Sequence, residues 1–324
     1  MNDIVSLAVV NLTSPIILAF ALGLAAALVR SDLSVPEAAA KALSLYLLFA
    51  IGFKGGAGVA AHGLDATLAL ALLAGVLLSA ALPFAAFALL RLMTRLDTLN
   101  AAAVAGHYGS ISIVTFVAAT SVLEQQEIAA ESYMVAVAAI MEAPAIVSAL
   151  WLVSRGEGAA RVDAGLWREI LLNGSIVLLT GAFVIGIVTG ADGLAEIEGF
   201  IVAPFKGVLC LFLLDMGLVA GRGLRQSRGV VTPALLGFGV LMPLVGALAG
   251  LLAALAIGLS GGGTMLLMVL AASASYIAVP AAMRVALPEA DPGIYLTLSL
   301  GVTFPFNLTL GIPLYLAAAA AFAG

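Results

Sequence analysis

Charged residues are scarce in this chain. Asp, Glu, Lys and Arg make up 10% of its 324 residues against 63% hydrophobic ones, and the mean hydropathy is +1.21. A soluble globular domain carries about 25% charge, so that class is excluded. A single cysteine, Cys210, rules out an internal disulfide and a cysteine-built metal site. Histidine occurs only as His62 and His107, with no HExxH-type arrangement. His107 near Ser110 is the one nucleophile–base pair an intramembrane enzyme could use, which argues against an enzyme. No arginine falls in the middle of an apolar run, and neither a soluble domain nor a low-complexity tail is expected within these residues. The net charge of −5 says little about partners, because in a membrane protein the side on which each charge lies matters more.

Apolar runs of about 20 residues, enough to cover a hydrocarbon core of about 30 Å, recur from end to end. They predict an all-α integral membrane protein with ten spans, at residues 13–29, 40–60, 67–90, 98–121, 132–153, 169–190, 199–219, 230–258, 263–284 and 294–322. Because many more apolar runs follow it, the first run is expected to be a span and not a cleaved leader. With the N-terminus outside, Arg30, Lys41, Arg91, Arg95, Arg155, Arg161, Arg168, Arg222, Arg225, Arg228 and Arg284 all fall at cytoplasmic ends. Lys54 and Lys206 do not, and both lie where a lysine can snorkel outward. The outer loops carry Glu124, Glu127, Glu131, Asp192, Glu196 and Glu198. Both termini are expected to be extracytoplasmic.

The second half echoes the first at an offset of about 160 to 166 residues. SPIIL at 14–18 lies over GSIVL at 174–178, LYLL at 45–48 over LFLL at 211–214, GSISIV at 109–114 over ASYIAV at 274–279, and Pro144 over Pro305. Five spans is an odd number, so the second repeat enters from the opposite side, the inverted plan of secondary transporters. The expected units are residues 1–155, a cytoplasmic connection 156–168, and residues 169–324.

Spans four and nine are expected to be discontinuous. Span four holds Gly106, His107, Tyr108, Gly109, Ser110 and Ser112, and span nine holds Ser273, Ser275, Tyr276 and Pro280. Irregular backbone at membrane depth is tolerated only where it is buried in protein or lines a cavity. A restarting half-helix offers free N–H groups and a positive dipole end that suit a small anion; a halting one offers carbonyls to a cation. The embedded acids are Glu142, two residues before Pro144, and Asp215 in LFLLDMGL. Span ten places Thr303, Asn307 and Thr309 at the depth of Glu142, an oxygen set that suits a hard cation such as sodium.

Taken together, FKGG at 53–56, HYGSISIVTFVA at 107–118, MEAPAI at 141–146, LDMGL at 214–218, ASASYIAVPAAMR at 272–284 and SLGVTFPFNLTLGIPLY at 299–315 resemble the SbtA-type sodium-dependent bicarbonate transporters of cyanobacteria and other bacteria. The likeness covers nearly the whole chain. It implies two inverted five-helix repeats, a core (67–153 and 230–322) moving against a gate (13–60 and 169–219), a homotrimer in the cell inner membrane, and sodium-coupled bicarbonate uptake. On the matching positions it implies bicarbonate binding by Gly109, Ser110, Ser112, Ser273, Ser275 and Tyr276, and sodium binding by Glu142, Thr303 and Asn307, leaving open which hydroxyl serves which ion. Asp215 falls in the gate, with a gating or an ion role. No cofactor beyond the coupling ion and no nucleic acid is implied. A small PII-like regulator on the cytoplasmic face is a further partner of several members, although the central connection is shorter here than those members would have.

Plainer readings stand beside these. The four serines could pack spans together, His107 could be a satisfied interior histidine, Gly261–Gly263 could be a loose outer loop, and Cys210 an apolar filler. Rival transport functions are a sodium-coupled symporter of another small or organic anion, or a cation/proton antiporter, which would want more embedded carboxylates than Glu142 alone.

Overall fold

The computed structural model describes residues 12–63, 65–154, 172, 174–226 and 232–323, and is helical with no strand among them. The elements are α1 (Pro15–Leu28), α2 (Glu37–His62), α3 (Ala66–Met93), α4 (Thr98–Gly109), α5 (Ile113–Gln125), α6 (Met134–Ile140), α7 (Glu142–Ser154), α8 (Gly174–Ile201), α9 (Phe205–Gln226), α10 (Pro233–Ile257), α11 (Gly261–Ala272), α12 (Ala278–Ala286) and α13 (Pro292–Phe322). Counting α4 with α5 and α6 with α7, eight segments are long and apolar enough to cross a membrane; α1 and α11 are shorter apolar helices. The connection 156–168, with Arg155, Arg161, Arg168 and Arg228, lies outside the described residues.

Most helix starts follow from local sequence. Ser14, Asp65, Asp97, Thr232 and Ser260 each cap the helix that follows them through a side-chain oxygen. Pro15 and Pro233 stand at first helical positions, where the missing N–H costs nothing.

Two glycine-mediated seams pair α1 with α9 and α2 with α8. A Cβ at Gly23 or Gly217 would collide with the backbone of the facing helix, at the Leu214 and Phe20 carbonyls, and one at Gly56 or Gly186 would do the same at the Phe183 and Phe53 carbonyls. Close backbone approach of this kind is how helices associate where lipid removes the hydrophobic drive. The remaining helices form a second group, in which α4 packs on α3 and α7, and α11 on α10. Within it the window of Thr98–Gln125 is 100% buried, whereas that of Ile176–Ile201 in α8 is 17% buried. The polar centre of the broken span is therefore sheathed in protein, and α8 presents most of its surface outward.

Several expectations need correction. Gly261, Gly262 and Gly263 do not form a loose loop; they make the first turn of α11, capped by Ser260 and packed so tightly that a Cβ at Gly262 would strike the Ala129 carbonyl. The sixth span breaks at Gly190, its expected end, but the stretch after it is not a loop. The chain kinks at Gly190 (φ 60, ψ −148) and stays helical to Ile201, so Asp192, Glu196 and Glu198 lie on a helix and not in a loop. The left-handed φ at that kink is one glycine adopts freely. The last span contains two π-helical stretches, Thr297–Thr303 and Asn307–Gly311, on either side of Phe304–Phe306. Pro305 has no N–H to donate and its ring crowds the preceding turn, which wider turns relieve. Lys54 has a partner that the sequence does not announce, its Nζ pairing with Glu124 at 2.8 Å.

Candidate functional site

The two interruptions fall where glycine and serine concentrate. Helix α4 ends at Gly109, Ser110 turns extended (φ −86, ψ 174), and Ser112 caps the restart of α5 at Ile113. Helix α11 ends at Ala272 and Ser273 turns extended in nearly the same way (φ −86, ψ 165), with α12 restarting at Ala278. Both halting helices are 12 residues long, and Gly261 and Ala272 stand 163 residues after Thr98 and Gly109. Pro280 occupies the first turn of α12, where its missing N–H is of no consequence.

Hydrogen bonds stitch the breaks to each other. The Ser112 N–H donates to Ser273 Oγ at 2.9 Å, and the Ser275 N–H donates to the His107 carbonyl at 2.8 Å. Ser273 Oγ in turn donates to the Leu270 carbonyl at 2.9 Å. Ser112 Oγ accepts from the N–H and the hydroxyl of Thr115 at 3.2 and 2.9 Å. Ser275 Oγ accepts from the Val279 N–H at 3.4 Å, and the buried Tyr276 hydroxyl, beside Ser112, has no partner of good geometry.

Glu142 opens α7, where the helix dipole favours a carboxylate. Its Oε2 accepts from Ser110 Oγ at 2.7 Å, and the residue is only 8% exposed. No lysine or arginine pairs with it among the described residues. A buried carboxylate with one neutral donor and no counter-charge is costly, and a small cation beside it would remove that cost. Ser79 braces the same place from α3, donating to the Met141 carbonyl at 2.6 Å and accepting from the Ala145 N–H at 3.2 Å.

These residues converge on one small cavity of about 20 Å³, lined by Ile111, Ser112, Ile113, Glu142, Ser275, Tyr276 and Ile277 from one group of helices and by Leu48, Ile176 and Leu179 from the other. That volume holds about one water-sized body. Tyr276 and Ile277 also line a wider crevice of about 640 Å³, which continues past Leu296 and Leu300 to Arg222 at the end of α9. Two side chains thus separate the enclosed centre from an open vestibule.

Of the six anion-site candidates, Ser112, Ser275 and Tyr276 line the cavity, Ser110 reaches it through Glu142, and Ser273 ties the two breaks together. Gly109 faces away, pressed against Pro83 and the Ser79 carbonyl. Of the cation-site candidates only Glu142 lines the cavity. Thr303 donates to the Gly239 carbonyl at 2.6 Å, so its bond to the Tyr108 hydroxyl at 2.7 Å is one it accepts. Asn307 donates to the Ala272 carbonyl at 2.9 Å and accepts from the Tyr315 hydroxyl at 2.8 Å. Both side chains brace the half-helices, and Thr309 bonds back to the Pro305 carbonyl. Asp215 is buried on α9 between Leu214 and Gly217, at the seam with α1, and lines neither the cavity nor the vestibule. His107 is fully buried, with Nδ1 2.7 Å from the Ala103 carbonyl and its ring stacked on Tyr295 at 4.5 Å, while Nε2 has no partner.

Sequence reasoning missed the opposite wall of the cavity, Leu48, Ile176 and Leu179, because apolar residues on apolar spans carry no distinguishing signal. It also missed Thr115, whose hydroxyl donates to Ser112 Oγ at the restart of α5. No curated protein is similar enough to this chain to count as a match. The family model described as the Na+-dependent bicarbonate transporter superfamily matches residues 15–320, and the chain belongs to that superfamily.

Proposed function

We propose that the protein is a secondary active transporter that carries bicarbonate inward with sodium by alternating access. The observation that carries this reading is the cavity at the two breaks, where a buried carboxylate, serine hydroxyls and restarting helices meet. A carboxylate and an oxyanion do not share so small a space without a cation between them. Sodium beside Glu142 would deepen the well for bicarbonate at Ser110, Ser112, Ser275 and Tyr276, with Gly109, Ser273, Thr303 and Asn307 holding the half-helices in place. Bicarbonate has four heavy atoms and needs more room than about 20 Å³, so loading requires Leu48, Ile176 and Leu179 to withdraw.

In this reading ten helices cross the membrane as two inverted repeats. The core comprises residues 67–153 and 230–322, and the gate residues 13–60 and 169–219. The crossed pairing of α1 with α9 and α2 with α8 supports it, because each joins the first helix of one repeat to the second of the other. So does the spacing past the breaks, where the restarting helices begin at Ile113 and Ala278, 165 residues apart. The charge distribution favours an inner-membrane orientation with the termini outside. A homotrimer, a gating role for Asp215 and a PII-like cytoplasmic regulator complete the proposal.

With one sodium per bicarbonate, transport is electroneutral and a tenfold sodium gradient supports about tenfold accumulation, about 1.4 kcal/mol. The test is uptake of labelled bicarbonate into proteoliposomes with and without an inward sodium gradient. Uptake above equilibrium only with the gradient is expected, and equal uptake in both removes the coupling. Ser110→Ala and Ser275→Ala are expected to weaken uptake in folded protein; unchanged kinetics in both returns these serines to packing.

A further inference from the structure

Two crevices open at opposite ends of α9. The wide one lies at Arg222, and a second, of about 270 Å³, lies at Phe205, 17 residues and roughly 26 Å away along the helix. The second holds the one ion pair among the described residues, Lys54 Nζ to Glu124 Oε1 at 2.8 Å, with the ammonium 5.5 Å from the Phe205 ring centroid. Its two partners stand on different helix groups: Lys54 on α2, which pairs with α8, and Glu124 in the last turn of α5, which packs on α11. The pair therefore bridges the same seam that the central cavity occupies.

The crevice also points inward to that cavity. Phe116, Thr120 and Leu123 line it, and they follow Ser112 at the i+4, i+8 and i+11 positions of one face of α5. The face runs from the break to the mouth over about 18 Å. The other carboxylate in the crevice, Glu131, is committed elsewhere, accepting from the Ser260 N–H at 2.7 Å and the Ser260 hydroxyl at 2.9 Å. Glu124, Glu127, Glu131, Asp192, Glu196 and Glu198 make this end acidic by the charge count of the sequence, an unfavourable field for an approaching anion.

We infer that Lys54 trades partners during transport: it is held by Glu124 while this mouth is shut and receives the incoming small oxyanion when the mouth opens. Separation of the two helix groups removes Glu124 from Lys54 as access is gained, leaving the ammonium beside the Phe205 ring as the one unpaired cation among the described residues that line the crevice. A bicarbonate ion takes the place of the carboxylate. On reclosure Glu124 recovers the lysine and the anion is released down the α5 face toward Ser112. The exchange ties capture of substrate to closing of the mouth, and it rests on the alternating-access reading above.

Cys210 is the chain's one cysteine, so a Cys210→Ala background carrying Thr120→Cys gives a single reporter inside the crevice. In cells, Glu124→Gln and Lys54→Gln are each expected to speed its labelling by an external, membrane-impermeant maleimide about two- to fivefold, the population change for losing one partly exposed ion pair. The exchange Lys54→Glu with Glu124→Lys is expected to return the rate to that of the parent. In bicarbonate uptake, Lys54→Gln is expected to raise KM by about threefold or more, as loss of a steering charge does, whereas Lys54→Arg and Glu124→Gln do not raise it. Lys54→Met, which keeps the stem against Phe205, replaces Lys54→Gln if that variant does not reach the membrane. Unchanged labelling in both single variants overturns the lock, and an unchanged KM without the lysine charge overturns the capture. If the parent protein takes up no bicarbonate, the transport reading fails, while the labelling still decides the lock.

Discussion

Replacing Glu142 with glutamine removes one charge from the cavity and almost nothing else. Glutamine has the same shape, and its side-chain carbonyl can still accept from Ser110 Oγ, which lies 2.7 Å from Glu142 Oε2. The residue is 8% exposed, so water screens it poorly. At about 4 Å and an effective dielectric of about 20, the attraction between a carboxylate and a monovalent cation is about 4 kcal/mol. Losing it weakens sodium binding by about a thousandfold. The assay is sodium activation of labelled bicarbonate uptake in proteoliposomes, read beside sodium-dependent thermal stabilisation of the purified protein. Wild-type protein is expected to gain about 2.7 kcal/mol at a sodium concentration a hundred times its dissociation constant, and Glu142→Gln to gain nothing measurable over the same range. A variant whose half-saturating sodium matches the wild type refutes the reasoning and moves the cation elsewhere.

Tyr276→Phe deletes a buried hydroxyl that has no good partner, so stability is expected to hold or rise by up to about 1 kcal/mol, read as an unchanged or higher Tm, while bicarbonate KM rises; a lower Tm with unchanged KM contradicts the assignment. Gly109→Ala would place a Cβ 2.6 Å from the Ser79 carbonyl and against the Pro83 ring. It is expected to cost about 1–3 kcal/mol, visible as a lower thermal midpoint in detergent. Ser273→Ala leaves the buried Ser112 N–H without its acceptor, a loss of about 1–3 kcal/mol, and a midpoint equal to wild type would show that the two breaks are not stitched there.

The sequence makes the spans and their interruptions legible for physical reasons. Apolar length maps directly onto bilayer thickness, and a cluster of glycine and serine such as Gly106, Gly109, Ser110 and Ser112 favours a break that is tolerated at that depth only where protein buries it. The breaks at Ser110–Ser112 and after Ala272 lie within a few residues of the expected centres. What escaped depends on contacts between segments distant in the chain. Gly261–Gly263 read as a loop because glycine weakens helices, but Ser260 caps them and the neighbouring Ala129 backbone leaves no room for a side chain. The hydrogen-bond partners of Asn307 and Thr303 were likewise hidden, because Tyr315, Ala272, Tyr108 and Gly239 reach them only through the fold. Lys54 read as a snorkelling lysine because nothing local announces Glu124, 70 residues away.

Thermodynamic linkage gives the sharpest test of the central claim, that a cation at Glu142 and an oxyanion at the two breaks occupy one cavity and stabilise each other. The measurement is the equilibrium dissociation constant of bicarbonate for the purified protein as sodium is raised tenfold across its own half-saturation. The account predicts that bicarbonate binds more tightly as sodium rises, that sodium binds more tightly by the same factor when bicarbonate is present, and that Glu142→Gln abolishes both effects. A bicarbonate affinity independent of sodium in the wild-type protein would contradict it.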